Sequence, residues 1–327
     1  MRAVVWTKYG PPDGLQLQEV ETPAPGDNEV LIKIHATTVS AGDCEMRTLK
    51  LPFMLGPIVR LFYGIRRPKR VNILGQELAG EITEIGKNVT RFSIGDEVFG
   101  STDFFMGAYA QYKSMPEDGA IAMKPANMTY DEAATIPLGG LNALHFLKLA
   151  NLQRGQSLLI NGAGGSIGTI AVQLAKFYGV EVTAVDSGDK LDVLQSIGAD
   201  HTIDYTQEDF TKNRESYDVI FDVVGKASLA GVFWSLKDAG TFLLGNVSFS
   251  KIVRGWWTFK RSKKKMIRKT ADASSGDLDY LRSIIEQGVI KTIIDRAYPL
   301  EDIVEAHRYV ETGQKKGNVS IIVEHEE

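Results

Sequence analysis

Cysteine is nearly missing from this chain of 327 residues, where Cys44 stands alone. That excludes an intrachain disulfide and any zinc site built from several thiolates of one chain, and it suits a reducing compartment. Long apolar runs are missing as well. No stretch suffices to span a bilayer, and the opening Met1 to Trp6 meets Lys8 and Gly10 before any run of signal-peptide length. Neither membrane insertion nor secretion is expected, and the cytoplasm is the expected location. Nor is there an excess of positive charge. The 37 Lys and Arg against 41 Asp and Glu leave a formal net charge of -4, which gives no global reason to bind nucleic acid or an anionic membrane. The five histidines, His35, His145, His201, His307 and His325, show no metal-ligand spacing, and none is assigned to catalysis.

What is present is an ordinary globular composition, 43% hydrophobic and 24% charged, in a length that favours two domains. The first third reads as β structure. Val30, Ile32 and Ile34 alternate with Leu31, Lys33 and His35, and Gly80 to Gly86 and Ser93 to Phe99 follow, punctuated by glycine turns. Met46 to Val71 interrupts this with apolar residues, prolines and the basic run Arg66 to Arg70, as an inserted loop or short helical excursion. From about Asp131 the period changes. Leu158 to Ile160, Glu181 to Val185, Val219 to Phe221 and Phe242 to Leu244 are short, continuous apolar runs, and helical patterns separate them. Such strands belong to a doubly wound α/β domain whose parallel sheet is covered on both faces. After Lys251 to Lys269 come helices near Leu278 to Gln287 and Leu300 to Glu311, then a closing strand Val319 to Val323 that is best placed back in the first domain. The expected division is therefore 1–125, completed by 269–327, with 126–268 between.

Directly after the strand at Leu158 comes Asn161-Gly162-Ala163-Gly164-Gly165-Ser166-Ile167-Gly168, and Ile167, Ile170, Ala171, Leu174 and Ala175 then share one helical face. Gly164, Gly165 and Gly168 lack the side chains that would keep backbone N–H groups from a pyrophosphate, and the helix start adds partial positive charge. A glycine turn alone also serves tight packing. Here the acid Asp186 follows about 20 residues later at the end of the next strand, where a ribose hydroxyl would be held, so dinucleotide binding is the expectation.

On these features the chain resembles the medium-chain dehydrogenase/reductase superfamily, in its zinc-free quinone oxidoreductase-like branch. The likeness spans nearly the whole chain. It rests on Met1 to Val4, Gly75 to Ile82, Gly95 to Val98, Gly107 to Ala110, Gly162 to Gly168, Ile197 to Asp200, Asp204-Tyr205, Asp218-Val219, Asp222 to Gly225 and Lys316 to Asn318. The resemblance implies a GroES-like β-rich catalytic domain formed by both chain ends, a Rossmann domain between, and an active site in their cleft. It implies NAD(H) or NADP(H) as cofactor, held by Ala163, Gly164, Gly165, Ser166, Ile167, Gly168, Asp186, Ser187, Lys190, Tyr205, Val224, Leu244, Gly245 and Asn318. It also implies a homodimer. Zinc-dependent relatives carry ligands at the positions of Ser40, Gln76 and Leu138, so no zinc is expected.

Ser40 and Asp43 stand where the branch has an Asn-Pro-x-Asp motif, here Ser40-Ala41-Gly42-Asp43, and they are the candidate catalytic residues. Asp43, which could be imagined paired with Glu77, could equally be a buried carboxylate bonded to backbone groups. The segment 251–269, with Trp256, Trp257 and a cationic run, suits a solvated cap better than a nucleic-acid or membrane contact. The expected reaction is reduction of a quinone or enone by hydride transfer. Alternatives are alcohol oxidation or aldehyde reduction, and a nucleotide-binding redox sensor with little turnover.

Overall fold

The computed structural model describes residues 1–49, 60–61, 63–69, 72–246, 258–260, 262–269 and 274–325. The chain divides into a unit of Met1–Leu138, Ala273–Gln287 and Ile294–Glu327 and a unit of Gly139–Asp272 and Gly288–Ile293. Residues 126–138 thus go with the first unit, where the sequence reading begins the second domain at 126.

The first unit opens with strands β1 (Arg2–Trp6), β2 (Leu15–Glu19) and β3 (Glu29–Thr38), followed by helix α1 (Ala41–Thr48). Then come β4 (Glu77–Ile85), β5 (Glu97–Ser101), β6 (Tyr112–Pro116), β7 (Ile121–Met123) and helix α2 (Tyr130–Ala134). The alternation read in β3 is real. Val30, Ile32 and Ile34 are wholly buried and pack with Leu78, Ile82 and Val98 in one core. Helix α3 (Pro137–Ala150) begins at the division.

The second unit is built on β8 (Ser157–Asn161), helix α4 (Ser166–Phe177), β9 (Glu181–Asp186), helix α5 (Leu191–Ser196), β10 (His201–Asp204), β11 (Tyr217–Asp222), helix α6 (Leu229–Ser235), β12 (Leu236–Leu244) and β13 (Lys265–Ile267). All pairings in its sheet are parallel, in the order β10-β9-β8-β11-β12-β13. Numbered within the unit this is 3-2-1-4-5-6, the doubly wound order whose direction reverses between β8 and β11. Continuous apolar strands suit it because helices cover both faces.

The chain then returns to the first unit through α7 (Ser275–Glu286), β14 (Ile294–Pro299), α8 (Ile303–Glu311) and β15 (Asn318–Ile322). β15 pairs antiparallel with β3 and parallel with β14, so the closing strand does complete the β-rich sheet. No helix among the described residues is long and apolar enough to cross a membrane.

The basic segment needs a correction. Residues 251–257, with Trp256 and Trp257, lie outside the described residues, as do 50–59 of the expected insertion. Lys264, read as part of a solvated cap, is buried. Its ammonium donates to the carbonyls of Phe233 and Leu236, each at 2.7 Å, and lies 4.6 Å from the Phe233 ring centroid. These partners stand in for water, which is the condition for burying a charge. Phe259 is buried in the same core.

Candidate active site

In the second unit, the backbone turns at Gly162 (φ +85°), and the amides of Gly162 and Ala163 donate to the Val185 carbonyl at 2.9 and 3.1 Å. The Gly164 amide donates to Asp186 Oδ2 at 2.7 Å. Asp186 Oδ1 accepts the Ser187 amide at 2.9 Å and lies 3.1 Å from Lys190 Nζ. Both side chains of that ion pair are only 9% exposed. The carboxylate expected to hold a ribose hydroxyl is thus already serving three donors of its own unit.

The glycines of the turn have different physical reasons. A Cβ on Gly168 would lie 2.5 Å from Ala163 Cα and from the carbonyl oxygens of Ala163 and Gly162, so that glycine lets α4 pack against the turn. A Cβ on Gly164 would meet Lys190 Cδ at 2.6 Å and Asp186 Oδ2 at 2.9 Å. At Gly165 the nearest atom, the Gly162 carbonyl oxygen, is 3.8 Å away. The protein itself has no need of a glycine there. A ligand approaching the start of α4, whose first amide groups lack helical partners, does.

The remaining expected cofactor residues of this unit gather at the carboxyl ends of the parallel strands. Ser166 and Ile167 begin α4. The Tyr205 amide donates to the Asp186 carbonyl at 3.1 Å, and its side chain is 60% exposed. Val224 faces Gly162, whose added Cβ would meet Val224 Cγ2 at 2.3 Å, and the Gly245 amide, just after Leu244, donates to the Asp222 carbonyl at 3.0 Å. Asn318 is not among them, being the first residue of β15 in the first unit. Asn161 and Asp222 were not singled out by sequence, yet they join β8 to β11 where the strand order reverses. Asn161 Nδ2 donates to Asp222 Oδ1 at 2.8 Å, while Asp222 accepts the amides of Gly225 at 2.9 Å and Ala227 at 3.1 Å. Their adjacent places at two strand ends were the available signal.

In the first unit, Ser40 and Asp43 form a reciprocal helix cap on α1. The Ser40 amide and hydroxyl donate to Asp43 Oδ2 at 2.9 and 2.6 Å, and the Asp43 amide donates back to Ser40 Oγ at 3.1 Å. Both side chains are buried. Burial pushes the Asp43 carboxyl up to about 6, against the Ser40 hydrogen bonds that favour the carboxylate. Ser40 Oγ lies 3.4 Å from Gln76 Oε1. Next to Gln76, Glu77 is also buried, accepting from the Thr38 hydroxyl and from the Leu138 amide, the latter at 2.7 Å. Burial pushes Glu77 up to about 7; the Asp43 charge adds to this, while the two hydrogen bonds and Lys315 oppose it. Both carboxyls of the sequence reading are thus buried, and the charge of Asp43 acts on Glu77.

His307, from α8, is wholly buried with Nδ1 3.3 Å from Cys44 Sγ and 3.4 Å from Arg47 Nε, and burial with the Arg47 charge pushes its imidazole down to about 3. His35 and His325, remote in sequence, have ring centroids 5.4 Å apart. Among the described residues no three or more His, Cys, Asp or Glu are grouped to hold a metal.

Two family models match the chain, the alcohol dehydrogenase GroES-like domain over residues 26–125 and the zinc-binding dehydrogenase over residues 197–321. Among curated proteins the chain is similar to the 2-methylene-furan-3-one reductase of Solanum lycopersicum, 30% identical over 98% of this chain and 79% of the relative. It is similar to the chloroplastic NADPH-dependent alkenal/one oxidoreductase of Arabidopsis thaliana at 30% identity, with 98% and 79% covered. Among solved structures, the quinone oxidoreductase from Coxiella burnetii superposes with a TM-score of 0.88 at 28% identity over 99% of each chain.

Gly165→Val is expected to cost under about 1 kcal/mol of stability, because its Cβ meets open space and only the cap preference changes. The same variant should weaken dinucleotide binding more than about tenfold, roughly 1.4 kcal/mol. Gly168→Ala should instead destabilise by about 1–3 kcal/mol through backbone overlap. Thermal melts and fluorescence titration of both variants check this; loss of fold in Gly165→Val with binding retained by whatever remains folded would contradict it.

The two raised carboxyls also set a pH dependence. Their ordinary values are 3.8 and 4.5, so between those and about 6 and 7 the folded chain binds more protons than the unfolded chain. The contribution to stability is fully present below the ordinary values and is lost as pH rises through the raised ones. Glu77→Gln keeps both hydrogen bonds, since the Thr38 hydroxyl can turn to accept while Oε1 takes the Leu138 amide. Its melting temperature should fall less than the parent's from about pH 5 to about pH 7.5. An equal or steeper fall in the variant is the contrary result.

Proposed function

We propose that this chain, which belongs to the quinone oxidoreductase-like branch of the medium-chain dehydrogenase/reductase superfamily, reduces a quinone or an α,β-unsaturated carbonyl compound without zinc. It is an NAD(P)H-dependent oxidoreductase. The observation that carries the reading is the turn at Gly165, free of any protein atom that needs a glycine, at the amino end of α4 on the carboxyl edge of a doubly wound sheet. When bound, the reduced nicotinamide supplies the hydride. The chain's own part is to receive the pyrophosphate at Gly164 and Gly165 and to orient what is bound.

The donor chemistry supports independence from zinc. A hydroxyl committed to a helix cap, an amide oxygen and a leucine stand at Ser40, Gln76 and Leu138, and none of these is a usual zinc ligand. Because the Ser40 hydroxyl already donates to Asp43, we assign both residues a positioning role through α1. Ser40→Ala and Asp43→Asn should then leave cofactor affinity nearly unchanged and lower turnover only in part. The enone branch of the substrate reading is supported by the names of the two relatives at 30% identity, a furanone reductase and an alkenal/one oxidoreductase. Among the described residues the edge strand β13 is short and paired on one side only, which suits association of two copies through this sheet. The buried thiol of Cys44, pushed up to about 12 by burial, and the lack of any second cysteine suit a cytoplasmic setting.

NADH should serve at least as well as NADPH, because Asp186 neutralises the lysine that a 2'-phosphate would need. Asp186→Asn keeps an acceptor for the Gly164 amide and removes the negative charge opposite Lys190. It should raise the kcat/KM ratio of NADPH to NADH by about tenfold, roughly 1.4 kcal/mol. Stopped-flow oxidation of both cofactors by a small quinone and an enone is the measurement. A native protein that binds cofactor but reduces neither class fails the proposal, and a parent already favouring NADPH more than about tenfold fails the cofactor assignment.

Purified protein should reduce its acceptor with far less than one zinc per chain after dialysis. Elemental analysis beside a chelator titration checks this. Near-stoichiometric zinc whose removal abolishes activity and whose return restores it would remove the zinc-free mechanism.

A further inference from the structure

From Met46 to Gln76 the sequence contains no Asp or Glu, in a protein whose net charge is -4. Within that stretch Arg60, Arg66, Arg67 and Lys69 are exposed, and none forms an ion pair among the described residues. Beside them lie apolar side chains with no protein cover. Leu61 is 71% exposed and Ile65 67%, while Phe104 and Phe105 are 56% and 72% exposed. The two groups are tied together, because the Tyr63 hydroxyl donates to the Phe104 carbonyl at 2.7 Å. The Phe104-Phe105 tip is flanked by Asp103 and Met106, both at φ 48°, a left-handed backbone that non-glycine residues rarely adopt. Met106 is wholly buried and anchors the tip from below. Asp103 is the acid at its edge and leaves the patch cationic.

Next to the patch, an open groove of about 520 Å³ is lined by Arg67, Lys69, Thr7, Gln18 and Asn72 together with the apolar Val5, Trp6 and Pro68. Cations beside polar donors suit a phosphate-bearing head group. Exposed aromatic and aliphatic side chains beside them suit the acyl boundary. The geometry points to a docking surface in the first unit for an anionic phospholipid bilayer, with Phe104, Phe105, Leu61 and Ile65 entering the interface and Arg60, Arg66, Arg67 and Lys69 on the lipid phosphates. Charge complementarity selects this occupant. A duplex nucleic acid would take up the cations but leave Phe104, Phe105, Leu61 and Ile65 uncovered, whereas an anionic bilayer meets both the charged and the apolar side chains. The surface is independent of which acceptor the enzyme reduces, and it would bring the enzyme to the phase where lipophilic quinones and enones accumulate.

Sedimentation with vesicles of phosphatidylcholine alone, or with about 30% phosphatidylglycerol, is the test. The anionic vesicles should hold at least about ten times more protein at about 0.1 M salt, and the difference should shrink as salt rises. Arg66→Glu with Arg67→Glu should lower that partition by about tenfold or more. Phe104→Ser with Phe105→Ser should lower it as well and leave a weaker binding that salt abolishes completely. Both double variants should keep the parent's melting temperature and cofactor affinity, and Arg66→Gln with Arg67→Gln gives the same reading if charge reversal disturbs folding. Equal partition to neutral and anionic vesicles, or variants that bind as the parent does, overturns the assignment. So does self-association, or binding of duplex DNA, that is lost in these variants while vesicles are ignored.

Discussion

The 2.7 Å hydrogen bond from the Gly164 amide to Asp186 Oδ2 ties the turn after β8 to the end of β9. Everything that makes the turn a binding feature hangs on it. With the carboxylate held at Gly164, Lys190 is drawn in to Oδ1 and its stem occupies the space a Gly164 side chain would need. Gly165 is left open at the amino end of α4. Asp186 thus acts first as a clamp on its own unit, and a ribose hydroxyl would have to join donors already in place. Burying the pair this deeply is tolerable only because two backbone amides share the carboxylate, since a buried ion pair with unsatisfied oxygens does not repay its desolvation.

The first unit handles its acids in the opposite way. Asp43 and Glu77 have hydroxyl and amide donors, and burial raises both although Lys315 opposes the shift at Glu77. The same arrangement costs stability when both ionise, so this unit trades resistance to alkali for two titratable groups. The contrast between a paired acid at the phosphate turn and unpaired acids near Ser40 divides the electrostatics by task.

Local patterns were legible in the sequence, and partnerships were not. Leu158 to Gly168 could be read because apolar run, glycines and helical face are consecutive, and the closing strand at Asn318 because its apolar run stands alone after a helix. β14 escaped because Arg296 and Pro299 break its apolar pattern and it is half-exposed. α1 went unread, its last three residues falling in the stretch from Met46 taken as an insertion, although Ser40 and Asp43 at capping-box spacing gave the local signal. Lys264 was assigned to solvent because a cationic run usually is; only the fold brings the carbonyls of Phe233 and Leu236 to it. Asp186 was read from sequence as an acceptor for a ribose hydroxyl, and its protein donors were not read, since they come from residues 22, 1 and 4 positions away.

The cap at Ser40 bears on the proposed independence from zinc. Ser40 Oγ both accepts the Asp43 amide and donates to its carboxylate, so the hydroxyl is already engaged within its own unit. Replacing Ser40 by cysteine would exchange a strong cap for a weak sulfur acceptor, at a cost of about 1 kcal/mol, and leave the Asp43 carboxylate short of a donor. The Leu138 side chain offers no ligand atom, and its backbone amide donates to Glu77 whatever side chain it carries. Of the three positions it is Ser40 whose side chain is held, by the hydrogen bonds that cap α1. A metal ligand at Ser40 could therefore be introduced only by undoing the contacts that hold Asp43 at the start of α1.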